Sequence, residues 1–192
     1  MGHLMFLHKF TPYNKDLHNS NKMQRPFPGE YNPYFQRYFD LIPEGDLIEL
    51  LRQNGGEAVE FLLSIPPEKE NYAYAAGKWN IKEVLNHIND AERIFAYRSL
   101  VAARKDGTAN LSSFDENDYA RNADVSHRDL KDLIEEFRIL RESSIFLLCN
   151  LKEQQSLFRA QSGLYPFTAR AGASFLIGHV IHHINVLKER YL

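Results

Sequence analysis

Apolar positions recur at helical spacing along four stretches of the chain, and capping residues mark where each stretch begins. Leu47, Leu50, Leu51, Val59, Leu62 and Leu63 form the first stripe, which opens at Asp46 and closes before Pro66-Pro67. Gly55-Gly56 inside it predicts a kink or break, because each glycine costs about 1 kcal/mol relative to alanine in a helix interior. The second stretch opens on Asn80-Ile81-Lys82-Glu83, where Asn80 can accept an orphan amide while Glu83 reaches back, and it runs to about Lys105. The third is predicted to begin at Ser126, with Asp129 three residues on, and follows Leu130, Leu133, Phe137, Leu140 and Phe146 to near Asn150. The fourth runs from about Thr168 to Tyr191. No alternating strand pattern extends over a comparable length. Four helices of roughly 15–25 residues are therefore expected to bury their stripes together as an all-α four-helix bundle.

The segments between these stripes have their own character. Residues 1 to about 30 lack apolar periodicity and carry the Pro26-Phe27-Pro28-Gly29 break. They read as a flexible N-terminal arm that is ordered only by docking, with Met23 a candidate start and residues 31–192 forming the domain. After Pro33, the run Tyr34-Phe35-Gln36-Arg37-Tyr38-Phe39 predicts a turn or two of helix with proline at its opening position, its rings covering one end of the core. The long connection between helices 2 and 3, from Asp106 to Val125, exceeds a tight helical hairpin and suggests a lid or a spanning crossover.

Composition narrows the classes. The 192 residues are 44% hydrophobic, which suits one core of good size rather than two. Twenty-three basic against 25 acidic side chains give a formal charge of −2, with no basic run, so a nucleic-acid partner is not expected. Cys149 is the sole cysteine, which excludes an intramolecular disulfide and a Cys-based zinc cluster and makes a reducing cytoplasm the default. The amino terminus lacks the layout of a secretory signal, and no apolar run is long enough to span a bilayer, so no membrane association is expected.

Candidate chemistry lies on the second and fourth helices. At 100° per residue, His87 falls on one face with Val84, Ile88, Ala91, Ile94, Phe95 and Arg98. His179 and His183, about 40° apart around their axis, share a stripe with Leu176, Val180 and Leu187. Three imidazoles on facing helices can bind Zn, Ni or a similar divalent ion and leave a position open. A water there would be acidified, or a thiol or carbonyl could take its place. The competing reading is three core histidines satisfied by backbone carbonyls or carboxylates. Asp90 is a candidate partner behind His87, or a ligand itself. His182, about 100° from His183, reads as a surface ring or as one lying behind the ligands rather than among them.

The block Gly77-Lys78-Trp79-Asn80-Ile81-Lys82-Glu83-Val84-Leu85-Asn86-His87-Ile88-Asn89-Asp90-Ala91-Glu92-Arg93 is followed by Phe114-Asp115-Glu116-Asn117 and by Gly178-His179-Val180-Ile181-His182-His183. In order and spacing these blocks resemble the DinB-like superfamily over about residues 34 to 192. The resemblance implies a four-helix bundle holding a divalent metal through His87, His179 and His183. It also implies a small-molecule substrate, a low-molecular-weight thiol as possible co-substrate, and a homodimer. Its members include thiol-dependent transferases and isomerases and suspected hydrolases, so the expected function is activation of a thiol or water at the metal. The alternatives are a stress-associated binding bundle without catalysis and a metal kept for stability alone. No catalytic residue beyond the three histidines is assigned.

Other residues are expected to be structural. Trp79 reads as a staple closing the bundle end. Asp115-Glu116-Asn117-Asp118-Tyr119 reads as a cap and solvated loop rather than a pocket rim. Arg93 and Arg98 are expected to pair with loop carboxylates rather than meet an anionic substrate. Cys149 reads as a packed thiol.

Overall fold

The structure is a computed structural model and describes residues 22–109 and 111–192. Local capping chemistry starts each main helix. Asp46 accepts from the amides of Ile48 and Glu49, at 3.0 and 3.1 Å, and opens α2 (Leu47–Leu63). Before it comes α1 (Gln36–Phe39), entered through a 3-10 turn at Pro33–Phe35. The expected capping box opens α3 (Ile81–Ala103): Glu83 N–H donates to Asn80 Oδ1 at 2.9 Å and Asn80 N–H to Glu83 Oε2 at 2.7 Å. Thr168 caps α7 (Ala169–Arg190) through Ala171 N–H.

Several expectations are corrected. Gly55-Gly56 does not break α2, which runs unbroken through both residues because its stripe is buried on either side and Asn54 is tied to Arg141. The long connection, expected as a lid or a spanning crossover, carries a short helix of its own, α4 (Glu116–Ala123). The third bundle helix, α5 (Leu130–Cys149), starts at Asp129 rather than Ser126. Ser126 lies in a 3-10 turn, its hydroxyl donating to Asp124 at 2.7 Å, while Asp129 accepts from Asp132 N–H. After α6 (Glu153–Ser156), strands β1 (Arg159–Ser162) and β2 (Tyr165–Thr168) form an antiparallel hairpin pairing Arg159 with Thr168 and Ser162 with Tyr165. The two-residue turn Gly163-Leu164, with glycine first at a φ of 60°, was the signal for it. Of the expected arm, residues 1–21 lie outside the described residues. Its remainder is docked: Met23 and Glu30 are buried, and Glu30 receives Arg170 Nε at 2.6 Å and the Thr168 hydroxyl at 3.0 Å.

The bundle helices are arranged so that α3 packs against α5 and α7, and α2 packs against the same two. The consecutive helices α2 and α3 therefore sit diagonally, and the crossovers are supplied by the long connections. At the centre is Arg141, fully buried, whose five N–H groups all find acceptors. They reach Glu92 on α3 (3.0 and 2.9 Å), Asn54 and the Leu51 carbonyl on α2 (2.9 and 3.3 Å) and the Leu176 carbonyl on α7 (2.9 Å). One side chain thus ties together all four bundle helices. Among the described residues, no helix is long and apolar enough to cross a membrane.

Candidate metal centre

One turn above that hub, α3 and α7 bring His87, His179 and His183 together, with ring centroids 4.4–4.9 Å apart. All three present Nε2. His87 Nε2 lies 3.0 Å and His183 Nε2 3.1 Å from His179 Nε2. His87 and His179 are buried and His183 is half-buried. Burial pushes the pKa of His87 down to about 4, and burial together with neighbouring imidazoles holds His179 and His183 well below the usual value. The rings are therefore neutral, the protonation state a metal requires.

The donor set fits a cation. A neutral imidazole nitrogen offers either one lone pair or one N–H, in the plane of the ring. His179 Nε2 faces two others and cannot satisfy both, so among themselves the three nitrogens leave a buried polar atom poorly matched. A divalent ion held by His87, His179 and His183 would accept all three lone pairs at once, and His N–metal bonds of about 2.0–2.1 Å are compatible with such spacing. Among the described residues this is the group of His, Cys, Asp or Glu side chains whose ligand atoms, within 4.8 Å of one another, could hold an ion.

Aromatic residues fix the rings. Phe175 stacks on His179 with centroids 4.9 Å apart, Trp79 lies 4.9 Å from His87, and Tyr38 meets both His179 and His182 edge-on. Gly178 makes the last contact possible: a Cβ there would collide with the Tyr38 carbonyl, so only glycine lets α1 lie so close to α7. The rings open on a cavity of about 550 Å³ between α1, α3, α7, the Ser113–Glu116 segment and the hairpin.

The profile of the DinB superfamily matches residues 50–187. The chain belongs to the DinB superfamily. A solved structure of YfiT from Bacillus subtilis, described as a probable metal-dependent hydrolase with an unusual four-helix bundle topology, is similar at 18% identity and a TM-score of 0.65. The likeness covers 88% of this chain and 94% of that one. No curated protein matches the chain.

Within this DinB-superfamily bundle, the three expected histidines meet and other expectations change. Asp90 stands apart from the trio: it accepts from Asn86 at 3.1 Å and lies 3.8 Å from Arg93, and burial raises its pKa. Trp79 is a wall of the cavity as well as a cover for the bundle end. Asp115 caps α4 as expected, yet its neighbours Phe114 and Glu116 line the cavity. Arg93 pairs with Glu136 on α5 rather than with a loop carboxylate. Arg98 pairs with no carboxylate among the described residues and donates to the Ser112 carbonyl at 2.7 Å. Cys149 is buried away from the cavity, and burial pushes its thiol pKa up against the weaker pull of Arg52. His182 is half-buried on the cavity wall, its ring 5.0 Å from that of His183. The sequence reading missed Phe95, Phe175 and the hairpin as cavity walls. Phe95 stands on the stripe of His87, and Phe175 lies four residues before His179 and so on its face, a spacing that could have found it.

Proposed function

We propose that the protein is a metal-dependent enzyme in which His87, His179 and His183 hold a divalent cation, zinc or nickel, beside the 550 Å³ cavity, where a small electrophilic substrate is attacked. The observation that carries this reading is the convergence of three neutral imidazoles at the cavity, with the Nε2 atoms of His87 and His183 lying 3.0 and 3.1 Å from that of His179. A cation bound there supplies Lewis acidity, lowering the pKa of a water or thiol in its remaining position. The chain's own residues fix the imidazoles through Phe175, Trp79 and Tyr38, and Phe95 and Phe175 give the cavity an aromatic wall beside them. Hydrolysis is the first form of the reaction, in keeping with what is said of YfiT. Thiol transfer is the second. Glu116 is the one carboxylate among the described cavity-lining residues and no cysteine is among them, so a thiol nucleophile comes from a low-molecular-weight co-substrate and needs little help from a protein base.

The test is metal analysis of protein purified without a nickel column. The expected result is about one equivalent of metal in the wild type and less than about a tenth in His87→Ala and His179→Ala, with a melting temperature several degrees lower after chelation. Wild-type protein without stoichiometric metal and with an unchanged melting temperature would refute the reading and favour a binding bundle with core histidines.

A further inference from the structure

Three arginines in the described chain are at least nine-tenths buried: Arg141 at 0% exposure, Arg98 at 6% and Arg170 at 7%. Arg141 is bidentate to Glu92 and Arg170 to Glu30. Arg98 has no such partner. Among the described residues it has one hydrogen bond, to the Ser112 carbonyl, and no carboxylate within ion-pair distance. Burial lowers its pKa with no anion acting in the opposite direction. A buried charge left without a counter-ion is strongly unfavourable, and the fold pairs its other two. Arg98 also lines the same cavity as the three imidazoles.

Its surroundings describe what would fill the gap. The guanidinium lies 4.8 Å over the Phe95 ring, Phe95 stacks on Phe175 at 3.5 Å, and Phe175 stacks on His179. An aromatic wall thus runs from the unpaired cation to the imidazole trio. Arg98 lies eleven positions after His87, which at 1.5 Å per residue is about 16 Å of helix. Ser113, Phe114 and the Leu164 end of the hairpin line the same cavity.

We propose that this cavity takes an elongated organic anion, its acid group received by the Arg98 guanidinium and its apolar body laid along Phe95 and Phe175, with its far end at the imidazoles. The placement of the far end rests on the metal-centre reading above; the role of Arg98 does not. A planar fork of N–H donors suits an oxyanion, and a desolvated guanidinium gains more from it than an exposed one would.

Trp79 is the chain's sole tryptophan and lines this cavity, so its fluorescence reports occupancy directly. The probe pair is 4-(biphenyl-4-yl)butanoate and its primary amide, which differ in charge and little in shape. The wild type should bind the acid at least about tenfold more tightly than the amide. In Arg98→Met the two affinities should fall within twofold of each other, and Arg98→Lys should restore part of the preference. His179→Ala should keep it. Equal affinities in the wild type overturn the proposal without any variant having to fold. So does a preference that survives Arg98→Met, or one lost on metal removal or in a Met variant of Arg37, the other arginine lining the cavity, while Arg98→Met keeps it. A preference that depends on Arg98 in protein that binds no metal supports the anion site and refutes the metal-centre reading, so the two can fail separately.

Discussion

Replacing Glu92 by leucine removes both oxygens that receive Arg141 Nε and Nη2, at 3.0 and 2.9 Å, and leaves a fully buried guanidinium with only neutral acceptors. Breaking a buried pair from one side costs about 3–5 kcal/mol, because the remaining charge has no counter-ion. For a chain of this length that corresponds to a fall of roughly 6–20 °C in melting temperature. Arg141→Met should cost a similar amount: it strands the Glu92 carboxylate and frees Asn54 Oδ1. The double variant puts two apolar side chains where two charges stood, leaving mainly the Asn54 amide unsatisfied at about 1–3 kcal/mol. Its loss should therefore be smaller than either single loss, a strongly non-additive cycle. The effect reaches the site, since Leu176 lies three residues before His179 and Glu92 five after His87. Urea denaturation followed by circular dichroism gives the four stabilities needed, and metal titration of the same proteins shows whether the trio loosens. Single losses under about 1 kcal/mol, or a double variant equal to their sum, would mean that Arg141 does not tie the four helices in the way its hydrogen bonds indicate.

Gly178→Ala places a methyl group against the Tyr38 carbonyl, so α1 must shift; a loss of about 1–3 kcal/mol in a thermal melt is expected, and no change would show that the close approach is not required. Asp46→Ala removes the cap on Ile48 and Glu49 and the 2.7 Å acceptor of Met23 N–H. A loss of about 1–2 kcal/mol should come with faster hydrogen exchange over residues 22–30, and unchanged exchange there would contradict their docking. In metal-free protein, the folded pKa of His87 near 4 lies below its ordinary 6.5, so the unfolded chain binds the proton first as pH falls. Stability should be independent of this group above 6.5 and decline between 6.5 and about 4, by about 3 kcal/mol for this ring alone. A flat urea-denaturation profile across that window would show that the ring is accessible to protons in the native state.

How legible the fold was depended on the range of the interaction. Asp46, Asn80 with Glu83, and Thr168 satisfy amides within three residues of themselves, and all were readable as helix starts. Where two local candidates competed, as Ser126 and Asp129 did, the choice depended on Asp124 occupying the Ser126 hydroxyl. Gly55-Gly56 misled because helix propensity is a weak preference that a buried stripe and the Asn54–Arg141 contact override.

By itself, then, the sequence determined the four long bundle helices, their inward faces and the histidines those faces carry, because helical periodicity and capping act over a few residues. Only the tertiary structure decided that α2 and α3 lie diagonally, that Nε2 is the shared atom of the trio, and that Arg141 is paired while Arg98 is not. Those outcomes depend on side chains distant along the chain approaching within hydrogen-bonding distance, and such an approach is set by how the bundle packs as a whole.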